Sequence, residues 1–400
     1  MNGLRIEIPV RWMGLANLPF GMYGALVLIT VPQLLAARQV PEPTIASITA
    51  AAMIPTFCGF LLAPIIDVRF SRRSYALVFG VLSGLVGWLS LLQLDSVPVL
   101  TAGLIIGFLF STLFYNALGG WLGDLVPEGD EGRLGATMTI GNVGGFGIGA
   151  IVFITLMRAL PEAFGPPAVG ALVALPLLLL VVVPVSNAER RSARESFGTL
   201  IRDLGKLLRN RVVLRSLLLF CLPASSFALT NTLGGLGHDF AASERFVAVL
   251  AGTGVTAAAI AGALVVPAVV RRVPLLLLYL AIGSVGALFT LSLLGLPRVP
   301  AVFALAMIGE NVFQSAAFAV EATIIFRTIG EDNPLASTQF GLLQAATAFP
   351  ITYMQALDGQ GYGAGGLGGG LLTDAGLSLL ACLVLLPLVL AWRRRGALTA

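Results

Sequence analysis

The sequence predicts an all-α membrane protein, with twelve transmembrane helices arranged as two pseudo-symmetric six-helix bundles. Three observations carry this. Of the 400 residues, 57% are hydrophobic and 11% charged, less than half of the about 25% charge that a soluble domain uses to coat its surface. Stretches of about 20 apolar residues, the length needed to cross a bilayer as a helix, recur along the whole chain. A single long polar interval then divides those stretches six and six.

The first apolar stretch follows MNGLRIEIPVRW, whose Arg5 and Arg11 imitate the start of a secretory signal. It continues past the length of a signal core without a small-residue cleavage motif, so it is read as the first span. The first six spans are placed at 12–35, 43–66, 74–94, 97–121, 134–157 and 166–185. The last six fall at 212–233, 246–270, 274–295, 299–326, 336–357 and 371–391. Pro19, Pro55, Pro64 and Pro350 lie inside spans, where neighbouring helices satisfy the freed carbonyls and kinks are expected.

Orientation follows from arginine. With the N-terminus inside, the inner loops hold Arg5, Arg11, Arg69, Arg72, Arg73 and Arg133, the basic run from Arg190 to Arg215, then Arg271, Arg272, Arg327 and Arg393 to Arg395. That is 20 of the 24 basic residues, the bias that keeps positive loops cytoplasmic. Both termini are therefore expected in the cytoplasm, and the net charge of +4 reflects topology rather than a nucleic-acid surface.

The interval SNAERRSARESFGTLIRDLGKLLRNRVV marks the domain boundary. Residues 1–186 form an N-terminal six-helix bundle, 187–211 a cytoplasmic linker, and 212–400 a C-terminal six-helix bundle. In the linker Leu200, Ile201, Leu204, Leu207 and Leu208 alternate with Arg202, Asp203, Lys206 and Arg209, the pattern of an amphipathic helix on the membrane surface. A weak internal echo supports the halving: Leu134-Gly-Ala-Thr137 opens the fifth span and Leu335-Ala-Ser-Thr338 the eleventh, as a parallel repeat requires.

The composition also excludes chemistry. Cys58, Cys221 and Cys382 are far apart within apolar runs, and His238 is the single histidine, in a loop. They supply neither a disulfide framework nor a metal site, and no cofactor is expected. No nucleophile stands beside a base, so the chain is not read as an enzyme. The run Gly359 to Gly370 lacks the Lys-Ser/Thr of a phosphate loop and is read as a flexible outer hinge loop, with Asp358 and Asp374 as solvated helix-end charges.

The candidate functional residues are polar groups inside spans, because an ionisable side chain at mid-bilayer costs on the order of 3 kcal/mol and is kept for a reason. Glu310, Gln314 and Glu321 form one stripe on the tenth span, with Glu310 near mid-depth and Glu321 nearer the inner surface. Glu310 and Glu321 are the candidate proton-coupling acids, with an ion pair to an inner-face arginine or a gate contact an equal alternative for Glu321. Asn17, Tyr23, Tyr115, Asn116, Asn142, Ser226, Asn231, Asn311, Gln314, Gln339 and Gln344 are candidates for a wet substrate cavity, each competing with a plain interhelical hydrogen bond.

Ala63-Pro-Ile-Ile-Asp67-Val-Arg69-Phe-Ser-Arg72-Arg73, together with twelve spans and a basic central loop, resembles the motif after the second helix of the major facilitator superfamily. Ala63 stands where that motif has glycine, and the basic pair falls one residue late. The resemblance implies the major facilitator fold and a gating latch of Asp67 with Arg72 or Arg73, near Arg69. Phe60-Leu-Leu-Ala-Pro-Ile-Ile-Asp67, Asp124-Leu-Val-Pro127 through Glu131-Gly-Arg133, and Ser337-Thr-Gln-Phe-Gly341 are similar to stretches of the peptide/acetyl-coenzyme-A/drug transporter family, which includes muropeptide and siderophore permeases. By that resemblance Asp124 and Arg133 join the gate. The function implied is secondary transport by alternating access in a bacterial inner membrane. Its expected form is proton-coupled import of a mid-sized polar or amphipathic solute of the muropeptide, siderophore or acyl-coenzyme-A class, by symport. The alternative is a proton-coupled antiporter exporting amphipathic compounds. The expected partners are the small-molecule substrate, protons and the lipid bilayer, and a monomer suffices.

Overall fold

A computed structural model describes residues 10–68, 70–181, 205–207, 209–330 and 333–394. Those residues contain helices and connecting turns and no strand. We number the principal helices α1 (Gly14–Ala37), α2 (Pro43–Leu61), α3 (Arg72–Leu91), α4 (Val97–Leu125), α5 (Glu131–Ala159) and α6 (Gly165–Val181). The second set is α7 (Arg211–Cys221), α8 (Arg245–Val270), α9 (Leu275–Gly295) and α10 (Pro300–Ile329). Ala336–Arg394 is two helices, divided where Gly365 and Gly366 leave helical geometry, and we call residues 336–364 α11 and 367–394 α12. Large apolar side chains such as Leu61, Leu178 and Leu383 stand at least 65% exposed, which is tolerable only where the surroundings are apolar.

Proline marks changes of helical geometry in α1 and after α2, whereas Pro350 lies within α11, whose merged helix leaves helical φ/ψ only at Gly365 and Gly366. Pro19 and Pro32 lie in the first turn of α-helical segments within α1, which are preceded by a 3-10 turn (Gly14–Asn17) and a π turn (Leu26–Thr30). Those turns fall where the missing N–H interrupts the ladder. After Cys58, α2 tightens into 3-10 geometry, and a second such turn contains Pro64.

Two expectations need correction. The seventh span is not one helix over 212–233. It is α-helical only to Cys221, then loses helical geometry at Leu222, where ψ is 146°. The chain resumes as 3-10 turns at Ala228–Asn231 and Leu233–Phe240. Pro223 cannot donate to the ladder, and Phe227 takes a left-handed φ of 47°, a conformation costing on the order of 1–3 kcal/mol for such a residue. The Gly359–Gly370 run, read as a hinge loop, is helical apart from Gly365 and Gly366. Packed helices explain this, since a glycine-rich surface lets backbones touch. The amphipathic helix expected at 200–209 falls largely outside the described residues.

Contacts divide the chain into two compact units. Unit 1 is Met1–Pro127, Gly141–Lys206 and Ile329–Ala345; unit 2 is Glu128–Ile140, Leu207–Thr328 and Ala346–Ala400. Each unit thus includes the opening of a helix from the other half of the sequence, and these openings are the two echoing segments. Within unit 1 the start of α11 lies on α4: a Cβ on Gly120 would sit 2.5 Å from the backbone nitrogen of Ser337. Within unit 2 the start of α5 lies on α10, where a Cβ on Gly135 would sit 2.7 Å from the Ala319 carbonyl. The core of unit 1 gathers Tyr23, Leu26, Leu104, Phe108 and Phe153; that of unit 2 gathers Leu229, Phe240, Phe303 and Leu371.

Backbone contact at these two glycines gives a prediction. Gly120→Val and Gly135→Val each lower the detergent-phase melting temperature, by the about 1–3 kcal/mol typical of overpacking. Gly363→Ala, at a helical site with open space around its Cβ position, leaves it unchanged or raises it. Differential scanning fluorimetry of the three variants distinguishes these outcomes.

Candidate functional site

Unit 2 carries the acids of the tenth span. Glu310 lies ten residues into α10 and is 0% exposed. The Thr290 hydroxyl of α9 hydrogen-bonds Glu310 Oε1 and also reaches the Gly286 carbonyl at 3.1 Å. Oε2 has no hydrogen-bond partner, and among the described residues no arginine, lysine or histidine pairs with Glu310. Glu321, 4% exposed, is answered by the Tyr279 hydroxyl of α9 rather than by an arginine.

The broken part of α7 is held opposite these acids by specific donors. Gln314 Nε2 donates to Thr230 Oγ1 at 2.6 Å and to the Phe227 carbonyl at 3.3 Å, and Thr230 Oγ1 donates to that same carbonyl at 2.7 Å. Ser225 Oγ donates to the Tyr279 carbonyl at 2.9 Å. Gly283 of α9 lets the break approach, since a Cβ there would lie 1.8 Å from the Ala224 carbonyl. Irregular backbone inside a bilayer is tolerated where protein satisfies it or where it lines a cavity. Of the other expected cavity residues in this unit, Asn311 donates to the Met307 carbonyl at 2.8 Å, Ser226 Oγ is buried without a partner, and Asn231 is exposed.

Unit 1 holds the remaining polar candidates. Phe20 stacks on Tyr115 at 4.4 Å between centroids, Phe340 meets Tyr115 edge-on at 5.0 Å, and Gln344 Nε2 hydrogen-bonds the Tyr115 hydroxyl. The structure thus brings Tyr115 and Gln344 together with two aromatic rings that sequence reasoning did not single out. Gln339 bonds Asn333, Asn116 packs on Gly341, and Asn142 presents its carbonyl to Gly21. Asn17 is fully buried, and Tyr23 belongs to the hydrophobic core, against Gly87, Gly107 and Phe108.

Three of the residues expected to gate, Asp67, Arg72 and Asp124, lie in unit 1 and converge on the start of α11. Arg72 Nε donates to Asp67 Oδ1 at 3.0 Å, Nη1 to Asp124 Oδ2 at 3.3 Å and Nη2 to the Asn333 carbonyl at 2.8 Å. Asp67 accepts from the backbone N–H groups of Ser337 and Thr338, at 3.1 and 2.8 Å, and from the Thr338 hydroxyl at 2.7 Å. The carboxylate therefore caps α11 and balances the positive end of its dipole. Asn333, Ser337 and Thr338 were not singled out as latch partners. Arg73 instead donates to the Val181 carbonyl at 2.9 Å, and Arg133 pairs with Asp130 at 2.9 Å; Arg69 lies outside the described residues. In unit 2 Arg327 faces Glu131 at 3.6 Å. A cavity of about 180 Å³ beside Arg215, Arg327, Trp392 and Arg393 lies away from Glu310.

A chain of helices with buried acids, a broken span and a latched helix terminus belongs to the class of membrane transporters rather than of enzymes. Residues 13–352 match the Major Facilitator Superfamily, and the chain belongs to that superfamily. Among solved structures it is similar to the proton:xylose symporter XylE bound to 6-bromo-6-deoxy-D-glucose, at 16% identity and a TM-score of 0.71 over 94% of each chain. It is also similar to the human organic anion transporter MFSD10, at 18% identity and a TM-score of 0.70 over 94% of this chain and 98% of that one. A third is the E. coli fucose:proton symporter FucP, at 15% identity and 0.66 over 95% and 98%. At these identities the likeness establishes the major facilitator fold. No match was found among curated protein sequences.

The latch geometry predicts that Asp67→Ala uncaps α11 and leaves Arg72 with Asp124 and the Asn333 carbonyl alone. Loss of a helix cap costs about 0.5–2 kcal/mol, so the melting temperature falls. Thiol-reagent labelling at Ser337→Cys rises several-fold in the Asp67→Ala background. Equal labelling in the two backgrounds contradicts the capping role.

Proposed function

We propose that this protein is a proton-coupled secondary transporter in which Glu310 is the coupling acid. The observation that carries this reading is the Thr290 hydroxyl. It has one proton to give and two acceptors in reach, the Gly286 carbonyl and Glu310 Oε1. With Glu310 protonated the conflict disappears, because the acid donates to Thr290 and Thr290 donates to Gly286. With Glu310 ionised, the unanswered Oε2 carries part of a full negative charge in a buried site, which costs free energy unless water enters. Proton occupancy at Glu310 thus favours the closed, dry surroundings, and proton loss favours a state that admits water, the link alternating access requires.

The solute we propose is mid-sized and polar or amphipathic, of the muropeptide, siderophore or acyl-coenzyme-A class, moved inward with the proton. One feature supports a solute with both a flat or apolar face and hydrogen-bonding groups: the Phe20, Tyr115 and Phe340 rings beside Gln344. The arginine bias of the loops supports a topology with both termini in the cytoplasm, and opening toward that side would require release of the Asp67 latch from α11.

The first experiment is a thermal-shift panel of muropeptides, acyl-coenzyme-A species, siderophores and hydrophobic cations on the purified protein. A saturable shift with one of the first three classes is expected, and stabilisation by hydrophobic cations alone overturns the importer reading. With that solute in proteoliposomes, Glu310→Gln abolishes uptake driven by a pH gradient and retains solute exchange at zero gradient. Unchanged gradient-driven uptake in Glu310→Gln rejects Glu310 as the coupling acid.

A further inference from the structure

Asp358 and Asp374 look from sequence like charges at the water-facing ends of α11 and α12, yet each is 3% exposed. The hairpin explains why. Its turn is confined to Gly365 and Gly366, so Asp358 lies eight residues before Gly366 and Asp374 eight after it. Both are at one depth, about 12 Å from the turn at 1.5 Å per residue. Between them and the turn the helices touch through backbone. A Cβ on Gly361 would lie 2.7 Å from the Gly369 carbonyl, and one on Gly369 would lie 2.1 Å from the Gly361 carbonyl. Beyond this contact the two carboxyl groups interact directly with each other.

Their surroundings lack what two carboxylates need. No N–H or O–H group of the described residues donates to either oxygen of Asp358, and Asp374 Oδ1 is equally unanswered. Asp374 receives one backbone N–H, from Leu229. The facing element α10 contributes Glu310, close enough to act electrostatically on Asp374, and so adds negative charge. Nearer the turn, the Tyr362 hydroxyl is held by Asp239 at 3.0 Å, with His238 Nε2 at 3.4 Å and Arg298 close by. Among the described residues none of these cations pairs with Asp358 or Asp374. Two ionised carboxylates offer each other acceptors only, and like charges at such range do not both persist in a dry site. No cluster of side chains suited to a metal is present among the described residues.

We propose that Asp358 and Asp374 form a second proton-binding site, in which one proton is shared between the two carboxyl groups and its occupancy is coupled to that of Glu310. A proton taken from water converts one carboxylate to the acid, whose O–H donates to the other carboxylate, and the pair passes from two negative charges to one. Release returns the proton to water and restores both charges. Because Asp374 and Glu310 repel when both are ionised, filling the pair makes ionisation of Glu310 easier. The role in transport rests on the reading of Glu310 as the coupling acid, while binding at the pair is measured independently of it.

The test uses the purified full-length protein and protons as the probe. Infrared spectra at neutral pH, in water and heavy water, report the carbonyl stretch of a buried carboxylic acid as an isotope-sensitive band. A band is expected in the wild type that is lost in both Asp358→Asn and Asp374→Asn and kept in Glu310→Gln. Asparagine supplies the missing donor, so Asp358→Asn is expected to melt near the wild type, whereas Asp358→Leu melts lower. A wild type with no such band, or a band that survives both asparagine substitutions, overturns the proposal. If the band behaves as expected while Glu310→Gln still couples uptake to the gradient, the site stands and the Glu310 reading falls.

Discussion

The constraint on which the structure depends is that the interior of a bilayer offers a polar group nothing to bond. Each departure from regular helix must therefore be answered by the chain itself. At the α7 break the Phe227 carbonyl is answered by Gln314 and Thr230 and the Ala224 carbonyl by Cys382 Sγ. The opening of α11 is answered by Asp67, whose charge is in turn balanced by Arg72. The buried side-chain atoms left unanswered among the described residues include hydroxyls such as Ser226 Oγ and Ser315 Oγ, and a set of acids: one oxygen of Glu310, both of Asp358 and one of Asp374. In a membrane protein such a remainder is where exchange with protons costs least to build, since protonation itself supplies the missing donor.

Glycine makes the answering possible. The helices reach one another's backbones at Gly120 against Ser337, Gly135 against Ala319, Gly283 against Ala224 and Gly361 against Gly369. With no hydrophobic driving force between helices in lipid, close packing and interhelical hydrogen bonds are what remains to hold them. The two echoing segments use this device in parallel. Each begins a helix that docks where a glycine stands, but in one case the partner contributes the glycine and in the other the echo itself does. Their chemistry differs accordingly: Ser337 and Thr338 carry donors for Asp67, whereas Gly135 brings only its own smoothness.

Much of the architecture was legible because a span is a simple count of apolar residues. The latch was legible in part. Asp67, Arg72 and Asp124 stand in a recognisable motif, but their partners Asn333, Ser337 and Thr338 are some 270 positions from Asp67, and no local pattern links them. The α7 break was missed because hydropathy does not register backbone geometry; Pro223-Ala-Ser-Ser226 was the available signal. Asp358 and Asp374 were misread for a compositional reason. A glycine run suggests a loop in water, whereas between helices in lipid it permits contact, and burial of the flanking acids follows from that contact rather than from their neighbours in sequence. Tyr23 shows the converse, a polar group in a span whose ring is consumed by packing.

The interruption of α7 has a mechanical consequence. A continuous helix behaves as a stiff rod that conveys torque, so rotating one end rotates the other. Residues 222–227 remove the rod between Cys221 and Ala228 and leave a tether that transmits tension but little twist. The segment gripping Gln314 can then reorient about its own axis while Arg211 to Cys221 stays in place. Rearrangement at one depth of the membrane need not be felt as rotation at another.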